Sequence, residues 1–155
     1  MYPRDDAPTT FKYPVDRLLK LQGIVSEHML HNPDMLDYDG ENCLLVIKNG
    51  KATGVTIGRA TGIFSYVRKY YSNGTEETSK ELAILPYSNK SGLFSARGNS
   101  GAIIVDGRGR ICGLLTGGTG KTESSDITYA TPFFWLWERI KANGFPNAHI
   151  YPVME

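Results

Sequence analysis

Phosphate chemistry is the first that the residue types suggest. The stretch GLLTGGTGKTESS, Gly113 to Ser125, contains GTGKT, the ending of a loop that cradles phosphates with backbone amides and a lysine. Such a loop needs a strand, a Gly-rich turn, the lysine, and then a helix N-terminus. RICGLLTGGTGKT supplies the strand, Gly117, Gly118, Gly120, Lys121 and Thr122. The glycine that should open the motif is Leu115, however, and ESSDITYATP is a poor helix. Ile127, Thr128 and Tyr129 favour a strand, and Pro132 would break a helix. Only 33 residues follow Thr122, too few for the βα units that carry a second carboxylate for Mg²⁺. Nucleotide binding is disfavoured, and the glycines need another use.

The other reactive types are few. Cys43 and Cys112 lie in apolar strings, CLLVI and RICGLL, without a nearby metal-ligand partner. They read as small buried hydrophobes, and spacing leaves open whether they pair. No metal or cofactor is expected. The histidines are His28, His31 and His149; the first two read as surface residues on a short helix. The sequons at Asn73 and Asn89 read as turns.

These residues must be positioned by elements of two kinds. Residues 1–41 hold Pro3, Pro8, Pro14 and Pro33 around one amphipathic stretch, VDRLLKLQGIVSEHML. There Leu18, Leu19, Gln22 and Val25 or Ser26 recur at near-helical spacing, with Asp16 as a cap. This segment reads as a partly helical connecting arm. Residues 42–146 read as one β domain closed by a helix, and residues 147–155 as a tail. CLLVIK ends at Asn49-Gly50, a dipeptide suited to a tight hairpin. GVTIGRATGIFSYVRKYY reads as one β run closed by Ser72-Asn73-Gly74; ELAILPY, AIIVDG, RICGLLTGG and DITYATP follow, with Asp106-Gly107 a second hairpin signal. Six or seven short strands at this spacing predict an antiparallel barrel or sandwich. Pro132 sits at a helix start, FFWLWERIKANG carries a broad apolar face, and Gly144 is a good stop with Lys141 in the last turn.

Composition narrows the partners. The chain has 155 residues, 17 basic against 16 acidic, and a formal net charge of +1. Its length suits one compact domain. Near-neutrality offers no electrostatic argument for nucleic acid or an anionic membrane, so neither is expected as a partner. No apolar run is long enough to span a bilayer. The start, MYPRDDAPTT, has acids and prolines where a signal peptide needs an apolar stretch, which favours the cytoplasm.

GNSGAIIVDGRGRICGLLTGG, Gly98 to Gly118, resembles the nucleophile region of chymotrypsin-like serine peptidases. There a G-[DN]-S-G tetrapeptide precedes a strand, a Gly-containing hairpin and a strand ending in a Gly-rich edge. VIKNGKATGVTIG, Val46 to Gly58, is similar to the run opening the second barrel of small bacterial-type members. ITYATPFFWLWERIK is similar to their last strand and closing helix. The three occur in the family's order, from about Cys43 to Gly144.

The resemblance implies an all-β chain: a single six- to seven-stranded antiparallel Greek-key barrel with the partly helical arm before it and a C-terminal helix. It implies that Ser100 is the nucleophile and that the amides of Gly98 and Ser100 form the oxyanion hole. A serine nucleophile must sit on a tight turn, which Gly98 and Gly101 permit. Thr116, Gly117 and Gly118 would be the edge to which a substrate backbone adds. Phe94 would floor the primary pocket, making it shallow and apolar, which argues against Lys or Arg there. Asn99 stands where digestive members have the Asp that pairs with a new N-terminal amine, so that route of activation is not expected.

The family's general base His and its orienting Asp lie on a first barrel, for which this sequence leaves no room, and none of the three histidines has the family's T-A-A-H context. Of these, His28 alone is a candidate to rescue the site by folding back. The resemblance therefore implies the second half of a serine peptidase, acting on peptide or protein and inactive alone. It could be a fragment, a truncated product or a decayed relative. Its partner would be a missing N-terminal barrel or a second copy of the chain. The alternative is a non-catalytic peptide- or protein-binding module derived from such a peptidase.

Overall fold

The computed structural model describes residues 19–37, 39–119 and 126–151. Six strands close into an antiparallel barrel: β1 (Leu44–Gly50), β2 (Gly54–Ala60), β4 (Glu76–Pro86), β5 (Ile103–Asp106), β6 (Ile111–Thr119) and β7 (Ile127–Pro132). Around the barrel the order is β1-β2-β4-β7-β6-β5, and β5 returns to β1. The seam closes where β2 meets β4, with Gly58 opposite Pro86 and Arg59 opposite Leu85. The chain crosses from β4 to a place beside β1 before making the β5-β6-β7 meander, which is the Greek-key step. A seventh strand, β3 (Phe64–Tyr70), pairs only with β4, from Phe64 opposite Leu82 to Tyr70 opposite Glu76. This hairpin continues past the barrel wall and exposes Tyr66 and Tyr70.

The alternation of side chains along the strands builds the interior. Leu44, Val46, Leu82, Ile84, Ile104, Leu115 and Ala130 are all buried in one cluster with Phe94 and both cysteines. The cysteines are free; burial pushes the Cys43 thiol up to about 11 and raises that of Cys112. A second cluster joins Ile47, Val105 and Ile111 to Phe133, Leu136 and Trp137. The last three belong to α2 (Phe133–Ala142), which packs its apolar face on the barrel. Asn143 caps it and Gly144, at φ +104°, ends it, with Lys141 in the last turn as expected.

Three sequence expectations are corrected. The β1–β2 turn is not at Asn49-Gly50: both residues are in β1, paired with Val55 and Gly54, and the chain reverses through Lys51-Ala52-Thr53. Gly54 takes the positive φ, +62°. Gly50 is instead a space-maker, since a Cβ there would lie 2.8 Å from Cγ of Asn99. The run Gly54–Tyr71 is not one strand; Gly62, at φ +86°, divides β2 from β3. Pro132, the last residue of β7 and the N-cap of α2, stands at the helix start as expected.

The arm's helix is the third expectation corrected. α1 spans only Glu27–His31, capped by the Ser26 hydroxyl, which accepts from the Met29 N–H. Gln22 and Val25 are extended beside β6: Gln22 N–H donates to Gly109, Val25 N–H to Ile111, and Ile111 N–H to Gly23. Gly23, at φ +80°, interrupts the helical spacing. Asp16 and Leu18 lie outside the described residues. Val25, Leu30 and Met35 nevertheless enter the barrel's cluster. Asp34 meets Arg108 and Arg110 at 2.6 and 2.8 Å, and Asp37 meets Arg59 at 2.9 Å.

Candidate active site

The site grows from the tight turn between Ala96 and Ala102. Asn99 N–H donates to the Ala96 carbonyl and Ala102 N–H to the Asn99 carbonyl, while Gly98 and Gly101 take φ of +99° and +83°. These are values where a Cβ would be strained. The result lifts Ser100 into solvent while Asn99, its neighbour, is 1% exposed. The amides alternate in the same way. Those of Asn99 and Gly101 are bonded, whereas those of Gly98 and Ser100 have no acceptor among the described residues.

Asn99 fixes this turn from beneath. Its Oδ1 accepts from the Ala52 N–H at 2.8 Å, and its Nδ2 donates to the Thr53 hydroxyl at 2.7 Å. A backbone N–H only donates, so the amide oxygen must face Ala52. Thr53 Oγ1 also receives Lys48 Nζ, which donates further to the Gly54 carbonyl at 3.0 Å. Lys48 is 1% exposed and has no carboxylate partner among the described residues; its ammonium lies 5.7 Å from the centre of the Phe94 ring. Burial holds its pKa below the ordinary lysine value. Sequence reading passed over Lys48, although alternation places it on the face of Leu44 and Val46.

Gly101 N–H donates to the Leu115 carbonyl at 2.7 Å, and Leu115 N–H to Ala102 at 3.0 Å. This brings Ser100 beside β6. From Thr116 to Thr119, β6 pairs with β7 alone, and its other edge is open among the described residues. Phe94 is nearby but enclosed. It is 1% exposed and belongs to the core, where a Cβ on Gly58 would stand 2.7 Å from its ring. Its carbonyl accepts from the Thr56 hydroxyl at 2.7 Å. Beside it, Ser95 and Thr128 share a buried hydrogen bond of 2.6 Å, which the sequence gave no signal for.

None of the three histidines bonds the Ser100 hydroxyl, which has no hydrogen-bond partner among the described residues. His28 and His31 are exposed on α1, and the arm's backbone hydrogen bonds to β6 are at Ile111. His31 is against Phe64, ring centres 4.5 Å apart. No group of three His, Cys, Asp or Glu among the described residues is arranged to hold a metal ion. As for GTGKT, β6 runs on through Gly117 and Gly118 to Thr119, which pairs with Ile127 of the next strand. A phosphate loop would be followed by a helix. Gly120, Lys121 and Thr122 lie outside the described residues.

No family model and no curated protein matches the chain. Among solved structures, a chymotrypsin from Cellulomonas bogoriensis aligns with 78% of this chain at 18% identity and a TM-score of 0.50. The fold is half of a chymotrypsin-like protein. An HtrA-type protease, solved with a tripeptide, aligns with 68% of the chain at 25% identity and a TM-score of 0.37. The alignments take in 52% of the chymotrypsin and 34% of the HtrA-type protease, so the chain spans about half the length of the former. The six-stranded barrel with α2 therefore has the fold of about half of the chymotrypsin.

Proposed function

We propose that this chain is the second barrel of a serine peptidase, with Ser100 as its nucleophile and the Gly98 and Ser100 amides as its oxyanion hole. One observation carries the reading: an exposed serine on a turn held by two positive-φ glycines, where the N–H groups of Gly98 and of the serine itself have no acceptor among the described residues. Such amides, fixed before the reaction, stabilise the negative charge that develops on a carbonyl under attack. The open Thr116–Gly118 edge would hold the substrate backbone as an added strand, with Phe94 below the primary side-chain pocket. The Lys48–Thr53–Asn99 chain of hydrogen bonds would keep the turn in shape.

Turnover requires a general base within roughly 2.6–3.2 Å of the hydroxyl. In this reading the base comes from a complementary barrel, elsewhere in a longer protein or on a partner, and the chain alone is inactive. Ile103, three residues after Ser100 and 45% exposed, would be part of the surface that such a barrel covers. The open edge also supports a second reading, a peptide-binding module without catalysis. A fluorophosphonate probe tests the first: wild type, Ser100→Ala and His28→Ala should all fail to label rapidly. Rapid labelling lost in both variants would establish a working dyad and overturn the claim of inactivity.

A further inference from the structure

A buried carboxylate with no cation partner among the described residues stands in the wall beside the open edge. Glu81, on β4, is 5% exposed, and its described partner is the Thr116 hydroxyl at 3.3 Å. That hydroxyl has one proton and is also 3.2 Å from the Tyr129 carbonyl, so Glu81 receives at most a shared bond. Lys80, its neighbour, points to the opposite face of the strand, where it meets Glu27 at 3.5 Å and covers the Phe64 ring. A carboxylate desolvated to this degree is costly unless a cation joins it.

The space for that cation is present. Glu81 lines a groove of about 1240 Å³ with Thr116, Gly117, Gly118 and Tyr129. A Cβ on Gly117 would touch nothing, so the surface between the β6 edge and Glu81 is open. The groove's charged lining is Glu27, Glu77, Glu81 and Glu138 against Lys69 and Lys80, a balance of −2. Beyond Gly118 lies Asp126, whose Oδ2 is buried without a partner. The Glu81 carboxylate reaches the Thr116 side chain from the β7 side, so a cation must be carried across β6 from an added strand to meet it. A long basic side chain makes that crossing and a short one does not.

We infer that Glu81 makes this edge selective for an extended peptide bearing an arginine or lysine, whose cation passes over Gly117 and pairs with the Glu81 carboxylate. This rests on the reading of Thr116–Gly118 as a peptide-binding edge. It concerns a side chain other than the one lodged above Phe94. Arginine is favoured, because its planar fork meets both carboxylate oxygens.

The test uses the full chain and fluorescein-labelled seven-residue Val/Thr peptides with one arginine moved along the sequence. Matched peptides carry citrulline at that position, and a third set is N-methylated at alternate amides. Polarisation at 0.15 M salt should show one register in which arginine binds at least about tenfold tighter than citrulline. Glu81→Gln, checked for an unchanged melting temperature, should bring that ratio below about twofold, while N-methylation weakens binding to both proteins. An arginine preference that survives Glu81→Gln, or none at any position, would overturn the inference and leave the edge reading intact, provided N-methylation still weakens binding. Absent binding, or binding indifferent to N-methylation, would overturn both.

Discussion

Lys48 shows how a single side chain in the wall of a barrel governs the turn that carries Ser100. Its ammonium is buried on the face of Leu44 and Val46, and among the described residues its charge is met by the Thr53 hydroxyl, the Gly54 carbonyl and the Phe94 ring rather than by an acid. Because burial lowers its pKa in the folded protein, the unfolded chain binds more protons in the interval between that value and the ordinary 10.5. Stability should therefore rise with pH across that interval and be flat below it, where both states are charged. Urea melts from pH 7 to 10 should show the rise in the difference between wild type and Lys48→Met, because the two raised thiols lower stability above about pH 9 in both proteins. Identical slopes would mean that the buried ammonium pays no desolvation penalty. At this scale the sequence was legible in part. GNSG with its flanks draws attention to Ser100 and to the Thr116–Gly118 edge, but nothing local singles out Lys48 or Glu81. Their burial depends on strands that pair far along the chain, which a local pattern does not contain.

The elements divide in the same way. α2 was readable because Pro132, a broad apolar face, Lys141 and Gly144 all agree over one short stretch. The arm was not, because Leu18, Leu19, Gln22 and Val25 have helical spacing, while Gly23 and the partner carbonyls of Gly109 and Ile111 hold the described part extended. The split of β2 from β3 was hidden in an unbroken β-favouring run, where Gly62 is the one punctuation. Tertiary pairing overrides spacing here. The arm's attachment is also testable. The Arg110 hydrogen bond, with further attraction from Arg108, holds the Asp34 carboxyl below its usual 3.8 despite partial burial. A lowered acid stabilises the fold fully above its unfolded value and loses that contribution as pH falls through the folded one. Asp34→Asn should cost roughly 1–2 kcal/mol at pH 7, a cost that shrinks as pH falls below the ordinary 3.8 and through the lowered folded value. Faster hydrogen exchange at Val25 and Gln22 would report the loosened arm, and unchanged exchange would show that the ion pairs are incidental to it.

At the scale of the molecule, the barrel's closure depends on a place where no side chain fits. The seam between β2 and β4 brings the Gly58 backbone within contact of three groups: a Cβ would lie 2.7 Å from the Phe94 ring, 2.8 Å from the Leu85 carbonyl and 2.9 Å from Ile84 Cγ2. The carbonyl is backbone and has little freedom to retreat. Gly58→Ala should cost about 1–3 kcal/mol through overpacking, lowering the melting temperature by roughly 2–9 °C. A melting temperature within a degree of wild type would show that the seam is looser than its contacts imply. The arm has a different bearing on the whole chain, in the order of synthesis. Val25, Leu30 and Met35 leave the ribosome long before Ile111 and Gly109, and the Gln22–Arg108 contact alone spans 86 residues. Contacts of such separation form late, so these apolar side chains stay uncovered while most of the barrel is still being made. Slowed elongation in the β5–β6 region would lengthen that exposure and give aggregation its opening.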